Sequence, residues 1–330
     1  HTLFSYAYNT SSYMFYKQML IEARSPTVVA LGTSRILEIR KEFFIHQNSF
    51  VNAGCPCRAK SLDDIIYFID NIQASSSVKM LIIGLDQDMF YKQPSSSIDP
   101  RYVVLLTPFT STIEMLRSIY LDYASHKYTL TNLFNISKTS NDIGLAAMLY
   151  HNGFRADGSY KYGQSQLNIN RIQEVKKQIE EDQYKIAKTN HVATKQQKET
   201  LLSNIEKLKN SIELARKKGI TVVAFMQPYP EPIYQSMKGV EGIARDLVIE
   251  IPKSIASIFY EQGITFFDFS SPVVFGAQDT ELIDSLHGTD VMYARMILYM
   301  AEHTKELQSY INGNAIKIMI KNKQGDFLNF

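Results

Sequence analysis

Residues 27–35 read Thr-Val-Val-Ala-Leu-Gly-Thr-Ser-Arg. Val28 to Leu31 is apolar at every position, as in a strand covered on both faces; a half-exposed strand alternates. Gly32 then permits a tight turn, and Ser34 follows it. Four further stretches have the same character: Phe50–Ala53 (FVNA), Lys79–Leu85 (KMLIIGL), Ile220–Met226 (ITVVAFM) and Ile264–Phe269 (ITFFDF). Helical patterns separate them. Ser61–Ile72 puts Ile65, Phe68, Ile69 and Ile72 on one face, with Ser61 as N-cap and Asp64 as its capping-box partner. Leu208–Lys218 runs into Gly219, a helix stop just before the fourth strand. Strands alternating with helices predict a three-layer αβα domain around a parallel sheet of about five strands.

Two stretches exceed a minimal domain of this kind. Residues 91–165 form a long excursion between the third and fourth strands. It holds a helical piece near Thr112–Tyr123 and the turn-rich His151–Tyr160 (HNGFRADGSY). Residues 166–218 are polar with a thin apolar stripe: Ile172, Val175, Ile179, Leu202, Ile205, Leu208 and Ile212. They read as two antiparallel helices joined near Thr189–Thr194, a helical arm or a partner-binding coiled coil, inserted in a single domain spanning 1–330.

The bulk properties exclude several classes. Of 330 residues, 45% are hydrophobic and 21% charged, enough apolar material for a full core. Lys and Arg number 35 against 33 Asp and Glu, a net charge of +2 that gives no case for nucleic acid. No run of 18 or more apolar residues is present. The chain starts at His1, so the reading expects an anchor helix upstream. Leu3, Phe4, Tyr6, Tyr8, Tyr13, Phe15 and Tyr16 suit a membrane–water interface or an N-terminal helix packed on the sheet. Cys55 and Cys57, two apart, are packing thiols or a strained redox pair. Neither they nor His46, His126, His151, His191 and His303 have metal-ligand spacing, so no metal or organic cofactor is expected.

The chemistry-bearing residues lie at the strand ends. Ligands of open parallel sheets bind outside the carboxyl ends of the strands. Ser34 falls there, either as an exposed hydroxyl or as an ordinary N-cap. Near the C-terminus, Asp284-Ser285-Leu286-His287 spaces a carboxylate and an imidazole so that one can orient the other. Serine, base and orienting acid are the parts of nucleophilic acyl transfer. Asp268, at the end of the fifth strand, is the alternative acid.

Together, Gly-x-Ser after the first strand, Gly54 after the second and Asp-x-x-His before the last helix resemble the SGNH (GDSL-type) hydrolases. The chain looks most like their membrane-associated branch, which serves polysaccharide O-acetylation and teichoic-acid D-alanylation. Phe50–Gly54, Leu81–Asp86 and Asn152–Ser159 add to the likeness. The resemblance implies Ser34 as nucleophile, His287 as general base and Asp284 as its orienter. It implies an oxyanion hole from the backbone N–H groups of Ser34 and Gly54. It also implies a cell-envelope polysaccharide or teichoic acid as substrate, an extracytoplasmic location and a membrane-bound O-acyltransferase partner. The rival expectation on the same fold is a non-catalytic glycan-binding or assembly subunit.

The chain departs from the family pattern twice. Thr33 stands where Asp is usual, and Asp86 where an oxyanion-donating Asn is usual. An ionised Asp has no proton to donate. Either Asp86 points away, or it is protonated, or Asn52 supplies the donor, or the site is catalytically weak. Arg35, Asp86, Arg155, Gln227 and Tyr229 are the expected substrate-binding residues.

Overall fold

The computed structural model describes residues 13–54, 62–73, 76–93, 152–163 and 170–328, with scattered positions from 116 to 147. Cys55, Cys57, Ser61 and the aromatics of the first twelve residues lie outside the described residues, and the helix expected near 112–123 lies largely outside them. Helix α1 (Tyr13–Arg24) leads into β1 (Val28–Leu31). Then come β2 (Phe50–Asn52), α2 (Leu62–Asn71) and β3 (Met80–Leu85). A small antiparallel sheet follows, made of β4 (Asp142–Ile143), β5 (Asn152–Arg155) and β6 (Tyr160–Tyr162). Helices α3 (Arg171–Thr189) and α4 (Lys195–Lys217) precede β7 (Thr221–Met226) and α5 (Glu231–Lys238). The described chain closes with α6 (Ile251–Glu261), β8 (Thr265–Asp268), α7 (Asp290–His303), a short turn of helix and α8 (Gly313–Lys321).

The central sheet is parallel throughout, in the order β2-β1-β3-β7-β8. Val28 pairs with Phe50 on one side and with Met80 on the other; Met226 pairs with Asp268. Both faces are covered, and alternate residues feed two cores. Val28, Ala30, Met80, Ile82, Val223 and Phe225 point to one; Val29, Leu31, Leu81, Ile83, Val222 and Ala224 point to the other. The three-layer expectation therefore describes this molecule. The strand order switches at β1, with β2 on one flank and β3 on the other, and the carboxyl ends of β1 and β3 lie at this switch point, where open α/β sheets bind ligands.

The described part of the expected arm, residues 170–218, does not stand free of the domain. The α3 residues Val175 and Ile179 enter the first core beside Ile233 and Met237 of α5 and Met296 and Ile297 of α7. The α4 residues Leu208, Ile212 and Ala215 enter the second, against Ile65 and Ile69 of α2. The two helices contribute to different cores, α3 packing against α5 and α4 against α2 and β7, while Ile172 and Leu202 of the expected stripe stay exposed.

Three glycines shape this carboxyl edge. Gly32, Gly54 and Gly84 follow or end β1, β2 and β3, and the Ile36 side chain fills the space between them. A methyl group on these glycines would come within 2.9, 2.7 and 2.5 Å of Ile36. The turn that carries Ser34 is thus seated on the sheet by one side chain that only glycine neighbours admit.

Candidate active site

Ser34 opens a 3₁₀ turn, Ser34–Ile36, directly after β1. Its cap is Thr33, whose Oγ1 accepts from the Arg35 N–H at 3.3 Å. Capping therefore falls to Thr33 and leaves the Ser34 hydroxyl free for another partner. Ser34 is also the one residue of 28–40 that is not buried.

That partner comes from the far end of the chain. Ser34 Oγ lies 2.9 Å from His287 Nε2. His287 Nδ1 lies 2.9 Å from Asp284 Oδ2 and 3.1 Å from Oδ1. The loop between them is tied back by the Leu282–Gly288 bridge and by the Ile283 N–H donating to the His287 carbonyl at 2.8 Å. Asp284 Oδ1 also accepts the Leu286 and His287 N–H groups, at 2.8 and 2.7 Å. Burial opposes the Asp284 charge, yet the hydrogen bond and charge of His287, with these N–H donors, hold its carboxyl below the usual range. An ionised Asp284 accepts a hydrogen bond from the Nδ1–H, which holds the proton on Nδ1 and leaves Nε2 as an acceptor for the Ser34 O–H. Asp268, the alternative acid, is engaged elsewhere: it accepts from Ser270 N at 3.0 Å and Ser270 Oγ at 2.6 Å.

Two expected oxyanion donors are used internally. Asn52 Nδ2 donates to the carbonyls of Ile36 and Ile39, at 2.8 and 2.7 Å. Asn52 Oδ1 accepts from the Gly54 N–H at 2.8 Å. Asn52 is a clamp that ties β2 to the segment after Ser34, and it consumes the Gly54 donor. The Ser34 N–H has no acceptor among the described residues and remains available.

Thr33 and Asp86 belong to one arrangement. Thr33 Oγ1 donates to Asp86 Oδ2 at 2.6 Å, and Arg35 Nη1 donates to Asp86 Oδ1 at 3.1 Å. Both Asp86 carboxyl oxygens are thus engaged, one by Thr33 and one by Arg35. Arg35 also donates to the Pro228 carbonyl, and its guanidinium stands 5.3 Å from the centre of the Tyr229 ring. Burial lowers the Arg35 pKa, but Asp86 and the neighbouring hydroxyls outweigh it and hold it above its usual value.

This corrects the substrate-binding expectation. Arg35, Asp86 and Gln227 are buried beneath Ser34, not displayed beside it. Gln227 Oε1 accepts from the Tyr293 hydroxyl at 3.2 Å. Tyr229 is half-buried against Arg35. Arg155 Nη1 donates to the Tyr160 carbonyl at 2.7 Å and lies 3.7 Å from Glu38 Oε2. Each of these side chains is held by a partner far away in sequence, which a reading of local patterns does not reach.

Tyr162 was not singled out from the sequence. Its ring centre is 5.8 Å from that of His287, and burial beside Glu38 pushes its hydroxyl pKa up. The β5–β6 hairpin delivers it, and the turn Ala156-Asp157-Gly158 flanked by aromatics was its sequence signal. A cavity of about 260 Å³ lies between α1 and α2, lined by Pro26, Tyr67, Asn71 and Val78. It opens beside the amino ends of β1 and β3 and contains none of the triad. Comparison with protein-family models, with curated proteins and with solved structures finds no match for this chain.

Proposed function

We propose that this protein is an SGNH-like serine O-acyltransferase or acetylesterase acting on a cell-envelope polysaccharide or teichoic acid. The carrying observation is the unbroken chain Ser34 Oγ–His287 Nε2 at 2.9 Å and His287 Nδ1–Asp284 Oδ2 at 2.9 Å. His287 takes the Ser34 proton as Oγ attacks the acyl carbonyl. The proton then passes to the leaving oxygen, and the acyl group stays on Ser34. A sugar hydroxyl or water next gives its proton to His287, attacks the acyl carbon and frees Ser34. Asp284 holds the imidazole tautomer and balances the imidazolium. The Ser34 N–H is the available donor to the oxyanion.

The polymer substrate, an extracytoplasmic location and a membrane-bound O-acyltransferase partner belong to this reading through the resemblance. Among the described residues no helix is long and apolar enough to cross a membrane. The rival reading, a non-catalytic glycan-binding or assembly subunit, draws support from one feature. Gly54 and Asn52 spend their donors on each other and on carbonyls. Removing one oxyanion donor costs about 10²–10³ in rate, so a site with one donor is slow or silent.

Ser34→Ala decides between them. The wild type should hydrolyse p-nitrophenyl acetate, and the variant should not. Its melting temperature should stay within about 2 °C, because Thr33 and not Ser34 caps the turn. Equal rates in the two proteins would favour the binding subunit.

A further inference from the structure

The loop that carries Asp284 and His287 is partly exposed: their side chains are 39% and 19% accessible. One β-bridge and the Asp284 turn hold it from within. An outside grip comes from α3. Ser285, between the acid and the base, donates its N–H to Gln178 Oε1 at 3.1 Å and its hydroxyl to Asp182 Oδ2 at 2.7 Å. Arg171, buried at the first turn of the same helix, donates to the Thr280 carbonyl at 3.0 Å and to the Leu282 carbonyl, where the loop begins. Its other nitrogen meets Asp326 Oδ2 at 2.8 Å.

These three residues share a helix face. The separations 171–178 and 178–182 are two turns and one turn, and Val175 and Ile179 of the same face are buried in the core. One turn on, Gln183 Nε2 donates to Ser236 Oγ at 2.7 Å and to the Pro232 carbonyl at 3.1 Å, fixing α3 to α5. The loop is thereby referenced to α5, the helix that follows β7 on the sheet edge carrying Ser34. We propose that Arg171, Gln178 and Asp182 of α3 are positioning residues that set the distance from His287 to Ser34. None touches the triad, so their effect passes through the Ser285 and Leu282 backbone. The proposal rests on the acyl-transfer reading for its consequence in rate, and on the hydrogen bonds alone for its consequence in geometry.

The test uses the full chain and a fluorophosphonate probe, with labelling at Ser34 followed by peptide mass spectrometry. Gln178 and Asp182 are only partly covered, so the double variant Gln178→Ala/Asp182→Ala should fold with a nearly unchanged melting temperature. Its labelling rate should fall about tenfold, as expected for a small misplacement of a catalytic group. For p-nitrophenyl acetate the loss should lie in kcat with KM unchanged. Asp182→Asn keeps an acceptor for Ser285 but loses the 2.7 Å charge pairing with Lys185, and it should label at the wild-type rate. Equal labelling of the double variant and the wild type would overturn the proposal, and so would failure of Asp182→Asn to rescue. A wild type that does not react with the probe refutes acyl transfer instead. Positioning is then read from the hydrogen-bonded Nδ1–H proton resonance of His287. Its loss in the double variant supports the proposal, and its persistence overturns it.

Discussion

Asp86→Asn returns the residue usual in the SGNH pattern, and here it should destabilise the protein. The side chains of Arg35 and Asp86 are 2% and 3% accessible, and they meet at 3.1 Å. Neutralising one member of such a pair leaves a buried charge without its counter-ion, at a cost of about 3–5 kcal/mol. Asn retains one acceptor for Arg35, and the Pro228 carbonyl still receives the guanidinium. The loss should therefore sit near the lower end, about 3 kcal/mol. The compensated pair Arg35→Met/Asp86→Asn removes both charges, and it should recover to within about 1 kcal/mol of wild type. Urea unfolding of the wild type, both single variants and the double variant, followed by circular dichroism, closes the cycle. A coupling energy below about 0.5 kcal/mol would refute the argument that Asp86 is there to match Arg35.

Three other outcomes follow from the geometry. Asp284→Asn should cut kcat by about 10⁴ while the loop stays folded, because an amide facing Nδ1 selects the tautomer with Nε2 protonated; a drop under tenfold contradicts this role. Burial pushes the Glu38 carboxyl up to about 8, so between its ordinary 4.5 and 8 the folded chain keeps a proton that the unfolded chain releases. Wild-type stability falls as pH rises through that window, so the advantage of Glu38→Gln should grow by up to about 1.4 kcal/mol per pH unit; a constant difference in urea midpoints at pH 5, 6.5 and 8 excludes it. Burial lowers the Lys17 ammonium to about 7 from 10.5, so the unfolded chain binds more protons between those values. That contribution rises with pH, and stability curves for wild type and Lys17→Met that run parallel from pH 7.5 to 10 would contradict it.

What could be read in advance follows physical lines. The inner strands were legible because a doubly covered strand is apolar at every position, as Val28–Leu31 and Met80–Leu85 are, and the partly covered edge strand β8 was legible from its Phe266 and Phe267. The placement of Ser34 beside His287 could be argued because each belongs to a local pattern, and a parallel sheet gathers its strand ends at one edge. The layer assignment of α3 and α4 was not legible. An amphipathic stripe shows that a helix has one buried face, but not which side of a sheet receives it. The charged residues misled for a related reason. Whether Arg35 faces solvent depends on Asp86, and Arg155 is turned inward by the Tyr160 carbonyl and Glu38; such contacts leave no periodicity in the chain. Asn52 was misread because its donors go to Ile36 and Ile39, carbonyls that any sequence would offer.

The separation of the triad along the chain carries a consequence for assembly. β1, β2 and β3 belong to the first 85 residues and carry Ser34 with the three glycines around Ile36, whereas the Pro228 carbonyl that receives Arg35 arrives only with β7. β7 and β8 then add outward on one edge, and His287 arrives only when the loop before α7 docks. Synthesis proceeds from the amino end, and contacts between distant segments form late because closing long loops is entropically costly. A nascent chain thus carries its serine through most of translation with no base beside it. On the proposed acyl-transfer reading, reactivity toward esters would be the last property the molecule acquires, and during refolding its recovery would time the docking of the C-terminal segment after the helical signal had returned.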